Sequence, residues 1–497
     1  MTPINFASLN MIWLPVLPLA VVALAAMAVL LIGVRVDDEE SEGLGFLTLA
    51  ALVIAFVLAL GIIGQSGIAF AGAIAIDGFA AFFELSILIA AALTVLMSLD
   101  YAGQYRLPGA EYYSLLLFSV LGMMLMATAN DLIVIFIGLE TMSISVYVLA
   151  GMLRRDPRSN EASIKYFLLG AFSTGFLLYG IALVYAATGT IKLIAIHAAL
   201  TSDMAGNPLL LLGLGLMLIG FGFKVAAAPF HMWTPDVYEG APTPITAFMA
   251  VGVKIAAFAG FVRVFMVQLA PVSEHWTIVL WGLAALTMTV GNVLAIVQTN
   301  IKRMLAYSAI AHAGYILVAM TAGGTDAGGA ILYYLLGYAF TNLGIFAIVV
   351  ALERGGSAND EIADYRGLAS RHPMMAAAMA LFMLSLTGVP PLVGFVGKFY
   401  LFSAAVHRGF VGLAVIGMLT SAASAYYYLS VIVAMYMQEG GAVEERPARP
   451  GIVAAIAIAA IATVLIGVYP QPYMNAAENA FASALSPDES HATAMMP

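Results

Sequence analysis

Apolar runs of about 20 residues, each long enough to cross roughly 30 Å of hydrocarbon as a helix, recur from Met11 to Tyr469. Short stretches holding most of the charged and turn-forming positions separate them. A helix satisfies its own backbone polar groups, which a lipid-embedded segment must do. The runs predict spans near 11–34, 44–64, 78–98, 112–129, 131–152, 162–187 and 208–238, then near 242–269, 275–299, 302–322, 328–352, 373–406, 410–437 and 450–469. The expected fold is an all-α integral membrane protein of about 14 transmembrane helices. No Lys or Arg precedes the first run, which is also too long for a signal-peptide core, so it is expected to stay as the first span.

Composition narrows the class further. Of 497 residues, 63% are hydrophobic and 9% charged, against roughly 25% charged in soluble domains; the mean hydropathy is +1.00. A soluble fold is excluded. There is no cysteine, so disulfides, thiolate zinc sites, iron–sulfur clusters and c-type haem attachment have no ligands here. Any redox centre belongs on another chain. The net charge of -9 is spread over short loops and carries no functional weight.

Where Lys and Arg fall sets the orientation, because cytoplasmic loops retain positive charge. Loops after odd-numbered spans hold Arg35, Arg106, Arg154, Arg155, Arg158, Lys302, Arg303, Arg354, Arg366, Arg371, Arg446 and Arg449, whereas the opposite loops hold Lys192 and Arg408. The first set is expected to face the cytoplasm and both termini the outer side. The acidic run Asp37–Glu40 then reads as a solvated cytoplasmic loop.

Glu140, Lys224, Lys254 and Lys398 lie near the middles of spans, where each charge costs a few kcal/mol and marks an ion pathway by default. Two runs are too long for one crossing and combine proline, glycine and lysine. LGLMLIGFGFKVAAAPFHMWTPDVY places Lys224 ahead of Pro229, and MLSLTGVPPLVGFVGKFYLF places Pro390 and Pro391 ahead of Lys398. Proline breaks or kinks a helix, freeing carbonyls that can solvate a cation.

The two broken spans, seventh and twelfth, cross in opposite directions, as two inverted five-helix repeats require. The expected organisation is a three-helix segment (1–110), a first repeat (111–270), a second (271–438) and a C-terminal helix and tail (439–497). Glu140 in the fifth span and His312 in the tenth lie at matching depths of roughly 15 Å, and Lys254 in the eighth lies similarly deep. Broken helices in matching places of inverted halves point to a transport site.

The segment KVAAAPFHMWTPDVYEGAPTPITAFMAVGVKIAAF (Lys224 to Phe258), with LETMSISVYVLAG (Leu139 to Gly151) and SIKYFLLGAFSTG (Ser163 to Gly175), resembles the antiporter-like subunits of the membrane arm of respiratory complex I and the related multisubunit cation/proton antiporters. The resemblance covers most of the chain. It is strongest to the N-type branch, whose mitochondrial counterpart is subunit 2. Lys398 stands where M-type relatives are expected to carry glutamate, and the long lateral helix expected of L-type relatives does not follow the last span. Fourteen helices suit the bacterial form.

That resemblance implies a proton-translocating, non-redox subunit of NADH:quinone oxidoreductase in a bacterial inner membrane. Glu140 and Lys224 would be the coupled pair, Lys254 the central relay and Lys398 the terminal proton-handling lysine, with Lys165, His231 and His312 as auxiliary members. Implied partners are M-type and K-type membrane subunits and a peripheral redox arm. FMN, iron–sulfur clusters and quinone would sit in those partners, with no cofactor, metal or nucleic acid on this chain. The physics agrees: a lysine's affinity for a proton falls on burial and rises beside a carboxylate, so moving Glu140 relative to Lys224 would load or release one.

Other readings remain open. The same lysines would serve a sodium/proton antiporter subunit, or be an inherited, silent axis in a structural anchor. Glu140 and Lys224 could form a static pair, Lys165 could snorkel to water, and His231 and His312 could be packing residues. Glu84 and Arg263 read as snorkelling or locally paired near the outer face, and Trp233 and Tyr238 as an interfacial belt.

Overall fold

The computed structural model describes residues 14–35, 42–353, 360–440 and 449–485. Asp37–Glu40, Arg354, Arg446 and both chain termini lie outside the described residues. The main helices in chain order are α1 (Leu17–Gly33), α2 (Glu42–Leu60), α3 (Gly78–Gln104), α4 (Gly109–Thr128), α5 (Leu132–Ala150), α6 (Pro157–Thr188), α7 (Pro208–Lys224), α8 (Thr234–Gly240) and α9 (Thr243–Gln268). They continue as α10 (Ser273–Ile296), α11 (Ile301–Ala322), α12 (Gly324–Leu352), α13 (Pro373–Thr387), α14 (Val393–His407), α15 (Val411–Met437), α16 (Pro450–Val468) and α17 (Gln471–Leu485). Among the described residues, 11 helices are long and apolar enough to cross a membrane, and α1, α7, α13 and α14 are shorter apolar helices.

Apolar surface alone cannot hold such helices together in lipid, so packing relies on small residues that let backbones approach. A Cβ on Gly122 of α4 would meet the Gly138 carbonyl of α5 at 2.5 Å, and one on Gly180 of α6 would meet that of Gly213 of α7 at 2.8 Å. In α9 the hydropathic window is wholly buried, and in α11 and α12 nearly so; α2, α15 and α16 keep most of theirs at the surface. Apolar side chains such as Leu31, Val57, Phe172 and Ile461 face outward, as a lipid-facing rim does. Lys254 lies in α9 and His312 in α11, within this buried layer.

Both over-long runs are interrupted where their prolines stand. After α7 the chain turns through Ala226 (φ +61°) and the cis Ala228–Pro229 bond before α8 resumes at Thr234. After α13 it turns at Gly388 (φ +96°), a left-handed position that glycine adopts freely, and continues through the cis Pro390–Pro391 bond into α14. In α9, π-helical turns at Met249–Val253 and Val262–Gln268 flank Lys254–Phe261. Such widened turns recur at functional positions.

Two elements were not visible as apolar runs. Gly67–Ala69 pairs antiparallel with Ile74–Ile76 as a short hairpin, register Gly67↔Ile76. The segment expected as tail contains α17, which buries Met474, Ala477, Ala480, Phe481 and Ala484 at helical spacing. It packs on α3 and α12: Phe79 N–H donates to Ser483 Oγ (3.2 Å), and Phe481 and Glu478 cover Gly328 and Gly329.

Candidate functional site: a buried chain of lysines, histidine and tyrosines

Lys224, Lys254 and Lys398 are 3%, 3% and 5% exposed, and His312 is 2% exposed. None faces lipid. A buried ammonium survives only with acceptors for its three donors, so its partners define its environment.

Lys224 closes α7, where helix carbonyls end and the macrodipole favours a cation. Its Nζ donates to Ser143 Oγ (2.7 Å) and Tyr147 OH (3.0 Å) of α5, with the rings of Tyr147, Phe223 and Tyr166 at 5.2–5.7 Å. Glu140, Ser143 and Tyr147 share one face of α5 by their three- and seven-residue spacing. The expected Glu140–Lys224 pair is not closed: no ion pair joins them among the described residues, and the buried Glu140 Oε1 has no hydrogen-bond partner. The hydroxyl of Ser143 occupies the ammonium one turn further along.

Lys254, beside the first π-helical turn of α9, donates to the Ala309 carbonyl of α11 and lies 5.4 Å from the Tyr338 ring centroid. One turn beyond Ala309, the His312 imidazole bonds on both sides, Nδ1 to Tyr334 OH (2.5 Å) and Nε2 to Tyr428 OH (3.0 Å). A neutral imidazole donates to one tyrosine and accepts from the other. Tyr428 also bonds Ser308 (2.5 Å). The ring of His312 packs on Tyr338 and Tyr315 at 5.2 and 5.4 Å.

Lys398 lies 5.1 Å from that same Tyr315 ring. Its ammonium uses all three donors, to the carbonyls of Leu386 (2.7 Å) and Thr387 (3.1 Å) and to Ser421 Oγ (2.7 Å). The break after α13 thus supplies carbonyls that solvate the cation, as the proline pattern predicts. A pocket of about 440 Å³, lined by Thr387, Phe395, Phe399 and Ser421 among others, reaches Lys398. Lys254, His312 and Lys398 therefore form one connected group.

The remaining candidates lie elsewhere. Lys165 bonds Asp236 (2.7 Å) and Glu161 (2.5 Å), with Arg303 on the other oxygen of Asp236 (2.8 Å) and on Glu239 (2.7 Å). This half-exposed network ties α6, α8 and α11 at the basic end of the bundle and does not touch Lys224 or Lys254. His231 is half-buried in the first break, its Nδ1 without a hydrogen-bond partner among the described residues. At the same basic end a pocket of about 780 Å³ is lined by Arg106, Arg154, Arg155, Arg158 and Lys302 with Glu239, Glu353 and Asp360. In the loop there, burial pushes the Asp360 carboxyl above its usual range, opposed by Lys302 at 3.6 Å.

Two sequence expectations are corrected. Trp233 and Tyr238 are not a lipid-interface belt but are buried; Trp233 stacks on Tyr166 (4.2 Å) and donates to the Phe223 carbonyl (3.2 Å). Glu84 does not snorkel, being 1% exposed with Oε1 unpartnered. Arg263 has its local pair, with Asp77 at 2.8 Å. The hydroxyl partners were missed, although Ser143 and Tyr147 follow Glu140 at helical spacing and Ser308 and Tyr315 bracket His312.

Comparison with known proteins places this geometry. Residues 129–424, more than half of the chain, match the family model described as the NADH:quinone oxidoreductase/Mrp antiporter transmembrane family. The chain belongs to this family. Among family members it is similar to the NADH-quinone oxidoreductase subunit N of Trichlorobacter lovleyi, 48% identical over 94% of this chain and 96% of the relative. Subunit N of Chloroflexus aggregans is 46% identical over 92% and 94%. A chain of respiratory complex I from Thermus thermophilus, solved with bound aureothin, superposes at a TM-score of 0.78 with 37% identity, covering 93% of this chain and 100% of that one. The N-type names agree with the branch expected from Lys398. All the candidate positions from Glu140 to Lys398 lie within the matched family region.

Proposed function

We propose that this chain is the N-type antiporter-like subunit of the membrane arm of a proton-pumping NADH:quinone oxidoreductase, and that it conducts protons along its buried lysine, glutamate and histidine side chains. The observation that carries this reading is the proximity of Lys254, His312 and Lys398 inside the bundle, Lys254 and His312 both against the Tyr338 ring and His312 and Lys398 both against the Tyr315 ring. A static scaffold has no need of ammonium groups in its driest layer, where replacement by apolar residues is often neutral or stabilising.

In this reading the chain crosses the membrane 14 times as two inverted five-helix repeats (111–270 and 271–438) after a three-helix segment. The basic end faces the cytoplasm and both termini face the periplasm. Glu140 and Lys224 form the switching pair, open in the arrangement described above, and Lys165 and His231 are auxiliary members. Electron transfer belongs to partner subunits carrying FMN, iron–sulfur clusters and quinone, and M-type and K-type subunits are the expected membrane neighbours. Lys224→Ala or Glu140→Ala should strongly reduce proton pumping coupled to NADH oxidation in vesicles, and an unchanged proton-to-electron ratio rejects the reading.

The family description itself favours one competitor, a subunit of a multisubunit sodium/proton antiporter. Copurified proteins separate the two. Flavin and iron–sulfur subunits support the oxidoreductase, whereas sodium-driven proton exchange without them supports the antiporter.

A further inference from the structure

Away from the lysine chain, α3 carries a second set of buried ionisable groups. Asp77 caps its first turn by accepting from Ala80 N–H (2.7 Å) and holds the Arg263 guanidinium of α9 by two hydrogen bonds of 2.8 and 3.0 Å. Arg263 also donates to the Ala127 carbonyl of α4 (3.1 Å) and lies 4.6 Å from the Phe79 ring centroid. Yet among the described residues its Nε–H has no partner, and neither has Glu84 Oε1. Glu84 sits two turns beyond Asp77 on the same face of α3, and helical side chains lean toward the helix N-terminus. The cluster thus keeps one unused acceptor on Glu84 and one unused donor on Arg263.

We propose that Glu84 is a further proton-holding site, exchanging its proton with Asp77 while Arg263 moves between the two carboxylates. In one state Arg263 pairs with Asp77, as seen here, with Asp77 ionised and the proton on Glu84. In the alternate arrangement the Glu84 O–H bond is broken, the proton is bound to a carboxylate oxygen of Asp77, and Arg263 pairs with Glu84. Both states hold one carboxylate, one carboxylic acid and one guanidinium, so the cluster is neutral throughout and no unpaired charge is buried. Asp77, less deeply buried than Glu84, then releases the proton toward solvent.

This inference rests on the proton-conduction reading above, and its test keeps the two apart. The whole complex is purified with Glu84→Gln, Asp77→Asn or Lys254→Ala, reconstituted in vesicles for the proton-to-electron ratio, and examined by infrared difference spectroscopy. Asn caps helices about as well as Asp, so Asp77→Asn should fold even if Glu84→Gln does not. The proposal expects a protonated-carboxyl band in the unmodified protein that is lost in Glu84→Gln. The band should also be lost in Asp77→Asn, because Arg263 is then free to ionise Glu84. Both variants should transfer electrons with a reduced proton ratio. A band that survives in Asp77→Asn, or wild-type ratios in both variants alongside a defective Lys254→Ala, overturns this inference alone. Should Lys254→Ala pump normally, the conduction reading fails, and the infrared bands still decide the state of Glu84.

Discussion

At the first break the ammonium of Lys224 rests on side-chain hydroxyls, Ser143 Oγ and Tyr147 OH; at the second, that of Lys398 rests chiefly on the main-chain carbonyls of Leu386 and Thr387. A hydroxyl both accepts and donates, whereas a carbonyl only accepts. A proton leaving Lys224 therefore meets two groups that can pass it on, whereas of the three acceptors of Lys398 only the Ser421 hydroxyl can. The carboxylate follows the same division. Glu140 shares a helix face with the hydroxyls at the first break, and no carboxylate bonds Lys398 at the second. The first break offers its ammonium hydroxyls only, the second chiefly carbonyls that solvate a cation.

The largest test of that contrast removes both hydroxyls. Ser143→Ala with Tyr147→Phe leaves Lys224 buried without a hydrogen-bond acceptor, a loss of about 3–5 kcal/mol when one side of a buried charged contact is deleted. Pumping should fall nearly as far as in Lys224→Ala, with electron transfer by the partner subunits retained. Pumping near the wild-type ratio would mean that another acceptor, Glu140 itself, takes over the ammonium, and the two breaks would then differ less than their resting contacts suggest.

A smaller effect is expected between the breaks. His312→Phe keeps ring packing against Tyr315 and Tyr338 but removes both hydrogen bonds to Tyr334 and Tyr428. If protons pass from Lys254 to Lys398 through this imidazole, the pumping rate should drop on the order of tenfold or more, as when a positioned proton-transfer group is lost. The measurement is initial proton translocation per NADH oxidised across a series of driving forces. A rate that does not change assigns His312 to packing.

Much of this architecture was legible in the residues because lipid leaves few alternatives. A run near 20 apolar positions must be a helix, and a lysine within it must find polar company, so α3–α6, α9–α12 and the buried Lys224, Lys254 and Lys398 follow directly. The order of proline and lysine was visible too. Lys224 precedes Pro229 and so ends the first half-helix, whereas Lys398 follows Pro391 and reaches back to the carbonyls of the half-helix before it.

Partner choice was less legible. Glu140 and Lys224 are opposite charges at similar depth, and no sequence rule says that the hydroxyl of Ser143 wins the ammonium. That depends on the rotation of α5 about its own axis by less than one turn. The position of Glu84 was misread for a related reason. Its depth in α3 suggested snorkelling, but α17, too polar to register as a span, packs over the N-terminal part of α3.

The finest comparison exchanges one hydroxyl at each break. Ser143→Ala takes one of two acceptors from Lys224, and Ser421→Ala one of three from Lys398. A hydrogen bond to a charged group contributes about 1.5–3 kcal/mol when no substitute exists, and the first alanine should approach that range. The second should cost less than about 1 kcal/mol, because the Leu386 and Thr387 carbonyls stay in place whatever the side chains do. Ser421 is also only partly buried and lines the pocket at Lys398. Thermal stability of the assembled complex and the pumping ratio, measured together, should rank Ser143→Ala as the more harmful on both. The reverse order would show that the carbonyls of the second break are the more mobile acceptors.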